Sequence, residues 1–289
     1  MNIKQFYLKN YKALMLVPLF MLIASFLIVG LTIKNTGDFV YKDVSLKGGT
    51  TITINTGEDY ELEDYLYQTF NKKFIVKKLT EFGTNKQIGI VVEGETNAEE
   101  LKSALEKKLG FELTKDNSSI EETESSFGQS FYRQLLKAVL VAFLFMAIVV
   151  FIIFRDFIPS LAVILSAIFD LIVTIAIINL FKMEISTAGI AALLLVLGYS
   201  IDTDLVLTTK LLKRKEGSLT ERLFSSIKTG MTMTITTIVA LTIGFFVSSS
   251  VVLKQMFLII IIALFIDMIS TWIMNTGILR WYISKKKND

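Results

Sequence analysis

Three carboxylates, Asp170, Asp202 and Asp267, lie inside apolar stretches with no Lys or Arg at comparable depth. An ionised Asp at the centre of a membrane helix costs about 2.5–3.5 kcal/mol on insertion scales. One pKa unit corresponds to about 1.4 kcal/mol, so such a penalty brings protonated and ionised forms into balance near neutral pH. The chemistry this points to is loading and release of a proton inside a membrane. A fourth acid, Asp204, follows two residues after Asp202.

Cysteine and histidine are both absent. That removes disulfides, thiol chemistry, His-ligated metals and imidazole relays together. Any proton carrier here is a carboxylate, helped by water, hydroxyls or Tyr199. No nucleophile–base pair, metal cluster or phosphate loop is visible, so we expect no enzyme activity, no cofactor and no metal.

The elements that must hold these acids follow from hydropathy. The chain has 289 residues, 52% of them hydrophobic, and a mean hydropathy of +0.56, well above that of a soluble domain. Residues 13–33 form an apolar run long enough to cross a hydrocarbon core of about 30 Å. A cleaved signal peptide is the competing reading, but Ile33-Lys34-Asn35-Thr36 is a poor cleavage site. Five more spans are expected at 136–154, 160–181, 188–209, 231–248 and 256–279, within a five-helix membrane domain over 133–284. Short-loop Lys and Arg fall mostly on one side, including Lys210, Lys213, Arg214, Lys215, Lys285, Lys286 and Lys287. The asymmetry predicts cytoplasmic termini (1–12 and a basic tail, 285–289) and an extracytoplasmic segment over 34–132. That segment, taken from Lys34 to Tyr132, holds 18 acidic and 12 basic residues, net −6, leaving +9 for the rest of a chain of net charge +3. Nothing in this partition resembles a nucleic-acid patch.

Within 34–132, Thr51–Ile54 alternates polar and β-branched residues and predicts a strand. Tyr60–Phe70 predicts an amphipathic helix, with Leu62, Leu66 and Phe70 four apart. Lys73–Thr80 and Gln87–Glu93 predict two strands joined by a turn containing Gly83, Thr84 and Asn85. A second helix is expected from Asn97, with Glu100 as capping-box partner, and a last strand at Phe111–Thr114. The order β-α-β-β-α-β is the ferredoxin-like α+β arrangement. Gly48-Gly49 reads as a tight bend feeding the first strand, with a ligand turn as the alternative.

Inside the spans, Ala162, Ser166, Asp170 and Thr174 make a small-and-polar stripe suited to close helix packing. Asp202 shares a face with Gly198, whereas Asp204 points about 200° away, toward head groups or the basic loop. Asp267, Ser270, Thr271 and Asn275 form a polar face. For each acid two readings stay open, a proton carrier or a structural hydrogen-bond partner. Thr232, Thr234, Thr236, Thr237 and Thr242 either bond their own helix backbone or solvate neighbouring carboxylates. Arg155–Pro159 predicts a tight turn with Pro159 at a helix start. Ser218-Leu219-Thr220-Glu221 is a capping-box pattern, expected to open a short helix on the cytoplasmic surface.

Three segments resemble the SecF side of the SecD/SecF family of protein-export membrane proteins. Asp43-Val44-Ser45-Leu46-Lys47-Gly48-Gly49-Thr50 is similar to the Asp-Phe-x-Gly-Gly-Thr-like approach to the family's periplasmic domain. Ser126-Phe127-Gly128-Gln129-Ser130 is similar to the lead into its second span. Gly198-Tyr199-Ser200-Ile201-Asp202-Thr203-Asp204 resembles the fourth-span signature Gly-Tyr-Ser-Ile-Asn-Asp-Thr, with its carboxylates shifted by one as in the archaeal branch. The resemblance implies a resistance-nodulation-division-type membrane fold in the cell membrane. It further implies a complex with SecD beside the SecY/SecE channel, and export of unfolded secretory chains assisted by the proton-motive force. Asp202 is then the leading proton-coupling candidate, with Asp204, Asp170 and Asp267, supported by Gly198, Tyr199, Ser200, Ser166, Thr174 and Ser270. Two rivals remain, half of a proton-coupled small-molecule or lipid exporter of the same fold, and an intramembrane aspartic protease. The protease needs two acids on one site, which the Asp202/Asp204 spacing does not supply.

Overall fold

The computed structural model describes residues 3–81, 86–214, 216–248 and 250–286; the expected turn at 83–85 and Lys215 and Lys287 lie outside them. The chain opens with two consecutive helices, α1 (Ile3–Leu14) and α2 (Leu16–Thr36). α2 carries Pro18 in its first turn, where a missing N–H costs nothing, and ends at Gly37 in the left-handed region (φ 78°). A two-residue strand, β1 (Tyr41–Lys42), and a single helical turn, α3 (Val44–Lys47), lead into the sheet domain.

That domain runs β2 (Gly49–Ile54), α4 (Glu63–Phe70), β3 (Ile75–Thr80), β4 (Gln87–Gly94), α5 (Ala98–Leu109) and β5 (Ser118–Thr123). The strands lie in the order β3-β4-β2-β5, every neighbouring pair antiparallel. Strand alternation sends Ile52 and Ile54 to one face, where Leu62, Leu66, Leu101 and Leu105 of the helical segments cover them. Thr51 and Thr53 therefore point to the other face.

Three local expectations change. The helix predicted from Tyr60 begins at Glu63. Asn97 caps α5 by accepting from Glu99 N–H at 2.9 Å, while Glu100 accepts from Thr96 Oγ1 at 3.3 Å, so no capping box forms. The last strand is Ser118–Thr123, not Phe111–Thr114, because Leu113 is spent plugging the core beside Leu109.

The chain then enters α6 (Ser125–Phe154), α7 (Phe157–Leu180), the short β6 (Glu184–Ile185), α8 (Thr187–Leu212), α9 (Leu219–Val247) and α10 (Val251–Ile269). α10 passes through a π-helical turn, Ser270–Asn275, into α11 (Thr276–Lys286). Six stretches, at 7–36, 128–154, 157–180, 187–212, 219–247 and 251–286, are long and apolar enough to cross a membrane. The capping box at Ser218/Glu221 is present, but the helix it opens continues unbroken to Val247 instead of forming a separate surface helix.

Burial divides the bundle. Within their apolar windows, α7, α8 and α10 are 50–56% buried, whereas α2, α6 and α9 are 6–11% buried. The inner three are the helices that carry Asp170, Asp204 and Asp267. Close approach of α9 to the π-turn depends on Gly230, where a Cβ would stand 2.3 Å from the Trp272 ring.

The sheet domain is tied to the bundle at its first bend. Gly48 and Gly49 take φ of 96° and 138°, and a Cβ at Gly49 would meet Gly94 O at 2.4 Å. Both the backbone conformation and the space require glycine there. We expect Gly49→Ala to destabilise the detergent-solubilised chain by about 2 kcal/mol or more, read as a lower unfolding midpoint. Gly30→Ala, which meets no atom within 4 Å, should leave the midpoint unchanged or raised.

Candidate functional site

The inner helices bring their polar residues to one buried cluster. α8 turns Ser200, Thr203, Asp204, Leu207 and Leu211 inward at spacings of three and four residues. α7 contributes Asp170, and α10 with the π-turn contributes Asp267, Thr271 and Asn275, all at most 1% exposed. Ser200 Oγ donates to Asp170 Oδ2 at 2.5 Å. Thr203 Oγ1 stands 2.9 and 3.1 Å from the two Asp267 oxygens. The Thr271 hydroxyl sits between two acids, 3.0 Å from Asp204 Oδ1 and 3.1 Å from Asp267 Oδ1. Asn275 Nδ2 donates to Asp204 Oδ1 at 2.6 Å.

The π-turn positions this array. Its wider helical turn slows the rotation from residue to residue, so Asp267, Thr271 and Asn275 stay on one face. Two carbonyls that the irregular backbone presents are met by side chains: Thr276 Oγ1 donates to Thr271 O at 3.0 Å, and the Tyr7 hydroxyl donates to Trp272 O.

Donors run short. A hydroxyl carries one proton, so Thr271 serves one of its two carboxyls at a time. Asp170 Oδ1 and Asp204 Oδ2 are buried without a partner among the described residues, as are the hydroxyls of Ser166, Thr174 and Thr208. No Lys or Arg of the described residues forms an ion pair with these three acids. Three adjacent anions in this setting would each forfeit several kcal/mol of hydration. A proton on a carboxyl, or a water, supplies the missing donor.

The placement of the fourth-span acids corrects the sequence reading. Asp202 does share a face with Gly198, but that face is exposed, and a Cβ at Gly198 would meet nothing. Asp204, expected at the membrane interface, is fully buried and bonded to Thr271 and Asn275. The reason is phase, since Val196, Ser200, Thr203, Leu207 and Leu211 fix the buried face and Asp204 falls on it. Thr203, which the sequence did not single out, carried that signal. Tyr199 packs half-buried against the α8–α10 core, and Ser270 bonds its own helix at Asp267 O, 3.2 Å away. The α9 hydroxyls of Thr232, Thr236 and Thr237 bond their own backbone, while buried Thr234 has no partner among the described residues.

A second polar network joins the far end of these helices to the sheet domain. β1 pairs in parallel with β6, Tyr41 opposite Glu184 and Lys42 opposite Ile185. Asp43 N–H donates to Ile185 O at 3.1 Å, and Thr187 N–H donates to Ser45 Oγ at 3.0 Å. Gln255 of α10 accepts from Ser186 N–H at 3.2 Å and from the Ser186 hydroxyl, and donates to Glu184 O. Charged groups crowd the junction: Lys77 is 3.0 Å from Glu93, and Lys47 is 3.9 Å from Glu184. Burial holds the Asp43 carboxyl above its ordinary range, against the Ser45 hydroxyl bond and with the Glu93 carboxylate adding to the push. Burial raises Glu184 too, with Lys47 and Lys77 pulling the other way.

Comparison with known proteins places this architecture. A family profile described as protein export membrane protein SecD/SecF, C-terminal, matches residues 103–285. The protein-export membrane protein SecF of Methanocaldococcus jannaschii is 37% identical over 284 residues, covering 96% of this chain and 98% of that protein. SecF of Pyrococcus furiosus is 35% identical over 279 residues, covering 96% and 92%. The crystal structure of SecDF from Thermus thermophilus superposes with a TM-score of 0.72 at 19% identity, over 98% of this chain and 40% of that one. The chain thus spans about two fifths of that solved protein.

The junction has a pH signature whose sign is fixed. An acid with a raised folded-state pKa binds its proton more tightly when folded. The contact is therefore firmest below the unfolded carboxyl range of about 4 and weakens as pH climbs through the raised values. Hydrogen-exchange protection of the Asp43 amide, corrected for intrinsic rate, should fall as pH rises above the ordinary carboxyl range of about 4. Asp43→Asn, which keeps the cap, should remove most of that slope; an unchanged slope would discard this account.

Proposed function

Because this chain belongs to the SecF family of protein-export membrane proteins, we propose that it assists protein export as the partner of SecD, drawing on the proton-motive force. In this reading the six apolar helices span the cell membrane with both termini cytoplasmic. The sheet domain is an extracytoplasmic ferredoxin-like module, and the complex works beside the SecY/SecE channel on unfolded secretory chains. The protein does no covalent chemistry of its own.

One observation carries the energetic half of the proposal, three acids buried side by side with no Lys or Arg of the described residues paired to them. A proton arriving on Asp170, Asp204 or Asp267 supplies a donor and removes a charge. Its departure leaves an anion whose burial costs about 2.5–3.5 kcal/mol on insertion scales. One proton moving down a membrane potential releases about 2.3 kcal/mol per 100 mV. The two magnitudes match, so proton occupancy is able to bias two packings of α7, α8 and α10.

The π-turn is the element suited to shift. Its irregular backbone is held by Tyr7 and Thr276, and rewinding it would rotate Thr271 and Asn275 away from Asp204. Motion of α10 reaches the outer domain through Gln255, 12 residues from Asp267 and so about 18 Å along the helix. From Gln255 the path continues through Ser186 and Thr187 to Ser45 and Asp43.

Asp202 stands outside this array, on the exposed face of α8. It contributes by meeting a partner helix there, without belonging to the internal network. In cells relying on a variant chain, Asp204→Asn and Asp267→Asn should each lower proton-motive-force-dependent secretion tenfold or more while leaving complex abundance near wild type. Asp202→Asn should retain more activity than either. Normal secretion with both buried acids replaced would refute proton coupling through this chain.

A further inference from the structure

At the end of the bundle opposite the basic Lys210–Arg214 stretch, two short connections join α7 to α8 and α9 to α10. The basic residues there are Lys182, just after α7, and Lys254, in the first turn of α10. The fold brings both to the wall of one pocket of about 420 Å³, which they share with Ile75 and Lys77 of β3. Neither ammonium has an ion-pair partner among the described residues. Lys77 is engaged by Glu93 at 3.0 Å. Glu184 is the one acid among the described lining residues, and Lys47 stands 3.9 Å from it. Amines therefore outnumber carboxylates around this space, and each like charge raises the cost of the next.

Both lysines also occupy places that local chemistry disfavours. Lys182 takes φ of 50°, a left-handed conformation that glycine adopts freely and a residue with a Cβ does not. Lys254 sits at the positive end of the α10 dipole, where an acidic residue would be favoured. A bound anion would offset the second cost and the mutual repulsion together. We propose that this pocket binds the phosphate of an anionic phospholipid, with Lys182 and Lys254 as its two contacts. The level is right for it: α7 ends at Leu180, α9 ends at Val247 and α10 begins at Val251, so the amines stand where three apolar stretches stop. Head groups lie at that height, just beyond the hydrocarbon core. The remaining lining suits the rest of the lipid, since Phe181, 69% exposed, Phe245 and Leu258 offer apolar surface to acyl chains. An acidic protein segment would answer the charge and leave that surface uncovered. Lysine stems lie along apolar walls while their ammonium groups reach a phosphate.

Because Ile75 and Lys77 belong to the same pocket, a bound head group would fasten β3 to the bundle at a second place besides the Asp43–Ser45 junction. The inference rests on the six apolar stretches spanning the membrane and not on proton coupling. The probe is phosphatidylglycerol with a photoactivatable diazirine near the top of one acyl chain, compared with the phosphatidylcholine analogue, in membranes holding the full chain with its partner. The phosphatidylglycerol probe should label peptides containing Phe181–Met183 and Val251–Leu258 about tenfold more strongly, the effect of two amines near an anionic head group. Replacing both lysines, Lys182→Gln with Lys254→Gln, should lower that labelling to the phosphatidylcholine level. Lys107→Gln with Lys115→Gln removes the same charge from exposed positions outside the pocket and should leave it unchanged. Lys77 is spared because it holds the buried Glu93. Monodisperse elution and retained partner check that each variant folds. Equal labelling by the two probes, a preference that survives loss of Lys182 and Lys254, or an equal fall in both variant pairs would overturn the proposal. So would cross-linking of the pocket to an acidic protein segment in place of lipid. No readout depends on secretion, so failure here and failure of proton coupling are told apart.

Discussion

Three carboxyl groups packed between apolar helices without a counter-cation set the terms for this molecule. In water their hydration would be effortless; between α7, α8 and α10 it must be replaced by side chains. The protein supplies Ser200, Thr203, Thr271 and Asn275, and these do not saturate the six carboxyl oxygens. A fully satisfied network would rigidify the core. Here Asp170 Oδ1 and Asp204 Oδ2 have no partner among the described residues. The same three helices also bury apolar side chains, among them Val163, Ala167, Val196 and Ala263.

The rest of the bundle is arranged around that constraint. α8 and α10 each meet both networks. α10 carries Gln255 near its start and Asp267 near its end, and α8 carries Thr187 at its first residue and Asp204 further along. The π-turn gives up regular hydrogen bonding in the stretch that faces the acids, and side chains from α1 and α11 restore what is lost. Irregular backbone in a membrane segment is tolerated only where such partners exist. The sheet domain, by contrast, is built by ordinary alternation and buries an aliphatic core of its own. Its connection to the bundle combines the two-residue strands and the Asp43–Ser45 turn with Val40 and Leu46, which pack into the apolar core of the bundle.

Much of this was legible in the amino-acid order. Length and hydropathy placed six apolar stretches, and strand alternation at Thr51–Ile54 and helical spacing at Leu62, Leu66, Leu101 and Leu105 gave the element order of the sheet domain. Ser218 and Glu221 announced their capping box through local chemistry alone. The failures have physical causes. Phe111–Thr114 reads as strand because its apolar residues are core plugs, and a plug and a strand share composition. Glu100 sat at the capping distance, yet Thr96 offered it a nearer hydroxyl.

For the site, residue types and their rough depth were determined by the sequence. Asp170 and Asp267 had to lie at depth along their spans, because each is many residues from either end. Which of Asp202 and Asp204 turned inward was decided only by packing, because periodicity fixes the angle between two residues and leaves the absolute rotation of the helix open. That rotation was set by α8 burying Val196, Leu207 and Leu211 against its neighbours. The same holds for the π-turn and the Gln255 stitch to Ser186. Each is a relation between segments far apart in the chain, created when the helices meet, and no local preference encodes it.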